Sequence, residues 1–376
     1  MAWVRPLTRG WVVRNEVPGP DVDEFAEPDR VTAALAAPGA AHRTLLAVQH
    51  PHRTPEAIAA GRTLLESLPA AKNTLATLLR TAYREVSDVV APYEVDGPDG
   101  AACGVLCMVD PAAVDAGNVR HSEEVYPDIV AERAEVLAGL GLATSAAMLV
   151  PVGDRDELTS QVRAHTTGNP PAVSTVDSRG RRHRLWLTKD TSLLSEVEAT
   201  PLMVADGNHR VAAAVAAGLD GMLALVTSGP GLRIGAFHRV LTNTGRTAAD
   251  LTSAWRAKGL TVEEVADATA PATPGTVVVR CRTTNLVVTG LPDGLDHAVV
   301  EDLLLGAALD LDPEGDHVRP LAAGRPAPPD ADAVLEIAPV PLATVLAEHA
   351  AGRRMPRKST YFTPKPRSGL LLAELH

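Results

Sequence analysis

Three stretches of this 376-residue chain carry side chains that chemistry could use. In the first, the apolar run Leu202-Met203-Val204-Ala205 leads into Asp206-Gly207-Asn208-His209-Arg210, and an Ala-rich segment then stops at Gly218. The pattern predicts strand, tight loop and helix, with Gly218 in the left-handed position that follows a helix. Such a junction points N–H groups and the positive end of the helix dipole at the loop, so a phosphate is well received there, and Asn208, His209 and Arg210 add side-chain donors. An ordinary helix start, with Asp206 as N-cap and Arg210 in solvent, explains the same residues. The second stretch, Arg120-His121-Ser122-Glu123-Glu124-Val125-Tyr126-Pro127, is read as the head of a helix. Adjacent carboxylates raise the proton affinity of one of them, and His121 adds a titratable group, which suits a general base acting on a hydroxyl. Acidic residues placed at a helix N-terminus for dipole reasons are the alternative. The third, Arg353 to Arg367, gathers six cations around Lys358, Ser359 and Thr360. These could meet phosphate oxygens. The Lys-Ser-Thr triplet lacks the glycine spacing of a P-loop, which is rejected. A solvated basic arm remains the alternative.

The elements that must position these residues alternate between helix and strand. Leucines at three- and four-residue spacings predict helices over 54–90, split at Pro69. Strands are predicted over 104–109 and 146–152, a helix over 128–142 ending near Gly141, and a hairpin arm over 183–188. A further helix, two strands and another helix follow between 248 and 309, with Pro-rich stretches at 268–274 and 325–329. The expected organisation is an α+β core over 1–246 holding the loop, an α+β subdomain or insertion over 247–350, and a C-terminal segment, 351–376, packing back on the core.

Composition excludes several classes. With 45% apolar and 22% charged residues the chain has material for a sizeable core, and at 3% aromatic content that core is built from Ala, Val and Leu. Thirty-five Lys and Arg against 46 Asp and Glu leave a net charge of −11, the opposite of a surface that tracks a phosphate backbone, so no nucleic acid is expected. Cys103, Cys107 and Cys281 are an odd set that argues against a disulfide framework, and the four-residue separation of the first two is poor zinc spacing, so no metal site is assigned to protein side chains. His50 and His52 flank a proline and could be ligands, but read as a loop start. No apolar run is long enough to span a bilayer and the N-terminus lacks a signal-peptide pattern, so a cytoplasmic protein without a membrane partner is expected.

Taken jointly, the strings Ala205-Asp206-Gly207-Asn208-His209-Arg210 and Met355-Pro356-Arg357-Lys358-Ser359-Thr360-Tyr361-Phe362-Thr363-Pro364-Lys365 resemble A-D-G-H-H-R and M-P-P-K-S-T-Y-F-Y-P-K of domain-of-unknown-function family 1015. That bacterial and archaeal family is similar to the free serine kinases of the ParB/sulfiredoxin-like superfamily. His183 to Asp190 and His238-Arg239 give supporting matches, and the resemblance spans most of the chain. It implies a ParB/sulfiredoxin-like mixed core in which Asp206, Gly207, Asn208, His209 and Arg210 hold nucleotide phosphates. It also implies that Glu123, with Glu124 second, deprotonates the acceptor hydroxyl. Two departures stand out: Asn208 replaces the first His of the pair, and Ser122 separates His121 from Glu123. An amide donates to phosphate but carries no charge and cannot act as an acid.

The expectation is a phosphotransferase between ADP or ATP and the hydroxyl of a small molecule, an amino acid such as serine, with Mg²⁺ neutralising the phosphates. Glu123, Glu124 and His209 are its catalytic candidates; Asp206 to Arg210 with Lys358, Ser359 and Thr360 are its phosphate-binding candidates. A nucleotide-binding regulatory or switch protein without catalysis is the alternative, and a ParB-like DNA clamp is disfavoured by the acidic charge. Oligomeric state stays open, a homo-oligomer included.

Overall fold

The continuous Val, Leu, Ala and Met runs at 147–150, 202–205 and 222–226 become strands buried on both faces. Val119–His121, Leu202–Asp206, Ala147–Pro151, Met222–Ser228, Gly100–Val109, Ala91–Gly97, Arg182–Leu185 and Val173–Val176 lie in that order, and Val4–Arg5 joins Gly100–Val109 to complete a nine-stranded mixed sheet. This computed structural model describes residues 2–25, 28–153, 156–228 and 231–376. A second sheet orders Tyr83–Val89, Leu7–Val13, Leu371–Glu374 and Leu142–Ala143. Helices Leu68–Thr81, Pro127–Leu140 and Asn208–Ala216 accompany them. Both sheets belong to one compact unit, 1–233 with 363–376. Its core is largely Val, Leu and Ala, as the composition requires.

The other unit is 234–362. Its sheet orders Thr261–Val265, Asn285–Thr289, Val277–Cys281, Ala331–Ile337, Phe237–Thr242 and Val318–Ala322. Helix Ala248–Ala257 starts on a capping box between Thr247 and Asp250 and buries Trp255, whose indole donates to the Leu304 carbonyl at 3.0 Å. Asp296–Val299 is α-helical and Val300–Ala307 winds as a π-helix.

The architecture is mixed α and β, and no helix among the described residues is long and apolar enough to cross a membrane. Three details differ from the sequence expectation. Helix does not fill 54–90: Pro55–Ala59 and Leu68–Thr81 are helical, and Tyr83–Val89 is a strand because it pairs with Leu7–Val13. The helix expected from 128 begins at Pro127, so Glu123 and Glu124 lie in the loop before it rather than at its head. The border expected after 246 falls before Phe237–Thr242, since that strand pairs with Ala331–Ile337 and Val318–Ala322. At the other end, 363–376 belongs with the first unit, where Leu371–Glu374 pairs with Leu7–Val13 and Leu142–Ala143.

Candidate functional site

The strand Leu202–Asp206 is gripped on both edges, parallel to Val119–His121 and antiparallel to Ala147–Pro151, with its register shifting between Val204 and Asp206. Gly207 then takes φ 92°, open to glycine and strained for other residues. A Cβ there would stand 3.1 Å from the Arg210 guanidinium and 3.4 Å from Ala147. The chain turns at once into helix Asn208–Ala216, which packs on Pro127–Leu140. Gly207, not Asp206, is the N-cap residue, and no side chain caps this helix. Asp206 instead accepts an ion pair from the Lys365 ammonium, Nζ to Oδ1 2.5 Å.

Because Val204 and His121 are register partners, the first two stretches meet. The two departures from the family strings bind each other. Asn208 Oδ1 accepts from the Ser122 N–H at 3.2 Å and lies 3.1 Å from His121 Nδ1, while Asn208 Nδ2 donates to Ser122 Oγ at 3.2 Å. Ser122 Oγ in turn donates to the Val204 carbonyl at 2.6 Å. Asn208 is 8% and Ser122 2% exposed. The amide of Asn208 thus locks the loop before helix Pro127–Leu140 to the start of helix Asn208–Ala216.

His209 stacks on Tyr126, ring centroids 5.6 Å apart, and its Nε2 accepts the Tyr126 N–H at 3.0 Å, which places the neutral ring's proton on Nδ1. The Arg210 guanidinium donates to the Ala146 carbonyl. Arg133, on the facing helix, keeps solvent contact; partial loss of water and then the charge of Arg210 lower its proton affinity, while Glu132 and Asp206 act the other way. Glu123 is half-buried and Glu124 exposed.

Lys358, Ser359 and Thr360 fall in the second unit. There Lys358 takes φ 52° and sets its ammonium 5.8 Å from the centre of the Phe237 ring. Ser359 Oγ donates to the Pro356 carbonyl at 2.7 Å. The carbonyls of Arg357 and Lys358 accept from buried Arg239 at 3.0 and 3.1 Å, and Arg239 also pairs with Glu301 at 2.6 Å. His238-Arg239 and the C-terminal string, far apart in the sequence, are therefore joined through Arg239.

Tyr126, Arg133 and the role of Lys365 were not singled out by sequence reasoning. Lys365 is the last residue of its string, and Arg133 is one Arg among many until helix packing gives it a neighbour. Among the described residues no group of three or more His, Cys, Asp and Glu could hold a metal ion.

These features define an α+β protein with a cation-lined strand–glycine–helix loop. The model of the family described as "Protein of unknown function (DUF1015)" matches residues 45–289, and the chain belongs to that family. Among solved structures it is similar to SbnI with C-terminal truncation from Staphylococcus aureus, at 14% identity over 71% of this chain and 87% of that one, TM-score 0.43. It is also similar to a free serine kinase in complex with AMP, at 13% identity over 70% and 92%, TM-score 0.41. A conserved hypothetical protein from Pyrococcus furiosus matches at 13% identity over 70% and 95%, TM-score 0.41. No curated protein matches the chain.

Proposed function

We propose that the protein is a phosphotransferase with a ParB/sulfiredoxin-like core that binds ADP or ATP at the Asp206–Arg210 loop. It moves a phosphoryl group between that nucleotide and the hydroxyl of a small molecule, an amino acid such as serine. The observation that carries this reading is the ion pair between Lys365 and Asp206, which joins the ends of the two strings shared with the family. Arg210 and the start of helix Asn208–Ala216 stand at the same loop. Cations and a helix N-terminus at a glycine turn are what a phosphate needs.

In the forward direction Glu123 takes the acceptor's proton as its oxygen bonds to phosphorus, and the bond from phosphorus to the nucleotide's bridging oxygen breaks. The leaving nucleotide is ADP from ATP, or AMP from ADP. Mg²⁺ would be carried mainly by phosphate oxygens and water, as this ion commonly is, since among the described residues no cluster of three or more ligating side chains is available to it. It would neutralise phosphate charge.

The switch reading draws on Asn208, whose amide is engaged with Ser122 and His121 where the family string has a titratable His. Incubating the protein with ATP or ADP, Mg²⁺ and an amino-acid panel, and following products by phosphorus NMR, separates the two. A phosphorylated amino acid supports the kinase; tight nucleotide binding without product supports the switch. Glu123→Gln should abolish turnover and keep nucleotide binding, whereas Glu124→Gln should retain both. Full activity in both variants would remove the carboxylates from the mechanism. Arg210→Ala, titrated with nucleotide by calorimetry, tests the phosphate contact at the loop.

A further inference from the structure

We propose that a buried ring of side chains, closed around Thr363–Arg367, positions the Lys365 ammonium against Asp206, and that Tyr93, His183 and Asp177 are positioning residues of the proposed phosphate site. The inference rests on the phosphate-site reading above. Lys365 sits between Pro364 and Pro366, which lack N–H groups, so the strand Tyr361–Thr363 does not continue through Lys365. Side chains hold it from both ends instead. Thr363 Oγ1 donates to Asp99 Oδ2 at 2.5 Å, and the Arg367 N–H donates to Tyr93 Oη at 3.2 Å.

Between these two ends the ring runs through buried Tyr93, His183 and Arg181 and closes on half-buried Asp99. Tyr93 Oη lies 2.6 Å from His183 Nδ1, His183 Nε2 3.1 Å from Asp177 Oδ2, and Arg181 Nε 2.7 Å from that same oxygen. Arg181 then pairs with Asp99 at 3.8 Å, returning the ring to Thr363. Donor order follows from Asp177, whose carboxylate only accepts: His183 Nε2–H donates to it, so the neutral ring's Nδ1 accepts from the Tyr93 hydroxyl, which itself accepts the Arg367 N–H. His183 is fully buried, and that burial keeps it neutral, below its ordinary proton affinity despite Asp177. Asp177, which burial alone would push up, is held down by His183 and Arg181. The Arg367 guanidinium adds an ion pair to Asp21 at 2.9 Å and a bond to the Gly19 carbonyl at 2.8 Å.

Anchoring the tail does not require this ring. The strand Leu371–Glu374 already fixes the C-terminus in the second sheet. A buried ionic network adds little to stability over apolar packing, but its bonds do specify geometry, here with one oxygen of the ring, Asp99 Oδ1, left without a hydrogen-bond partner among the described residues. What the ring fixes beyond the strand is the five residues at whose centre Lys365 reaches the loop.

The test uses the full chain titrated with ADP by calorimetry, folding being checked by circular dichroism. Lys365→Met should weaken ADP binding about tenfold, the loss of one charged hydrogen bond. Tyr93→Phe, which keeps the ring's packing and removes one oxygen, should weaken it several-fold. The double variant should bind no worse than Lys365→Met alone, because both changes act through one ammonium. A part played only in folding would move the melting temperature and leave this coupling absent. Unchanged affinity in Tyr93→Phe, or losses that multiply in the double variant, would overturn the positioning role while leaving the phosphate site standing. Unchanged affinity in Lys365→Met would overturn the phosphate-site reading itself and this inference with it. If Tyr93→Phe does not fold, Thr363→Val at the other end of the ring carries the same expectations.

Discussion

Asn208→Ala should destabilise the first unit, and the size of the loss follows from what the side chain holds. Truncation removes acceptance from the Ser122 N–H and the contact with His121 Nδ1, together with donation to Ser122 Oγ. Three such bonds contribute about 1 kcal/mol each, and a buried N–H left without an acceptor costs about 1–3 kcal/mol. These figures overlap, and Ala is the better helix former by a few tenths of a kcal/mol. The expected loss is therefore about 2–3 kcal/mol, or about 5–10 °C in melting temperature for a unit of this size. Scanning calorimetry of the full chain measures it. Ser122→Ala removes the hydroxyl but keeps the N–H bond to Oδ1, so the double variant should lose less than the sum, by about 0.5–2 kcal/mol. A loss under about 0.5 kcal/mol in Asn208→Ala, with additive behaviour in the double variant, would refute the idea that these residues lock the loop.

Three further outcomes are expected. Burial first, then the neighbouring His52, Arg53 and Arg133, lower His50 from 6.5 to about 4, so the folded protein resists a proton that the unfolded chain takes. Its stabilisation is full above pH 6.5 and is lost as pH falls towards 4. His50→Gln should flatten the pH dependence of urea unfolding in that window, by at most about 3 kcal/mol, and an unchanged slope would sink the assignment. Gly207→Ala should cost about 1–2 kcal/mol through its left-handed backbone and also weaken nucleotide binding by crowding Arg210, with calorimetry reading both effects. Arg239→Met should destabilise the second unit by about 3 kcal/mol in urea unfolding by stranding Glu301, and adding Glu301→Leu should restore much of that loss.

How far the sequence was legible depends on how local the deciding interaction is. At 202–218 every signal agrees: an apolar run, Asp-Gly, Ala-rich helix formers and a stopping glycine, and the strand Leu202–Asp206 and helix Asn208–Ala216 follow. At 83–89 the leucine spacing of the preceding helix carries the eye onward, yet Tyr83–Val89 is a strand because Leu7–Val13, some 75 residues earlier, pairs with it. The Tyr83 hydroxyl donates to the Gly369 carbonyl at 2.9 Å, a partner 286 positions away. The border near 246 moved for the same reason, since Phe237–Thr242 is claimed by strands in the 318–337 region. Lys365 and Asp206 are separated by 159 positions, and nothing in their local sequence announces the ion pair.

The two departures from the family strings show what pairwise geometry adds to motif reading. Taken one at a time, Asn208 looks like a lost histidine and Ser122 like an insertion that spoils the step from His121 to Glu123. In the structure they are one feature: Asn208 supplies the acceptor that the Ser122 N–H needs, and Ser122 Oγ spends its hydrogen on Val204 while accepting from the Asn208 amide. A histidine at 208 would have to bring both an acceptor and a donor to the same buried residue from ring nitrogens that cannot converge as an amide's oxygen and nitrogen do. The loop is thus rebuilt around a neutral clamp, while the cations of the proposed phosphate site stand beside it: Arg210, two residues on, bonds the Ala146 carbonyl, and Lys365 pairs with Asp206, two residues before. Loss of a titratable group at 208 therefore bears on proton transfer far more than on anion binding, and the choice between kinase and switch turns on whether Glu123 alone can carry the acceptor's proton.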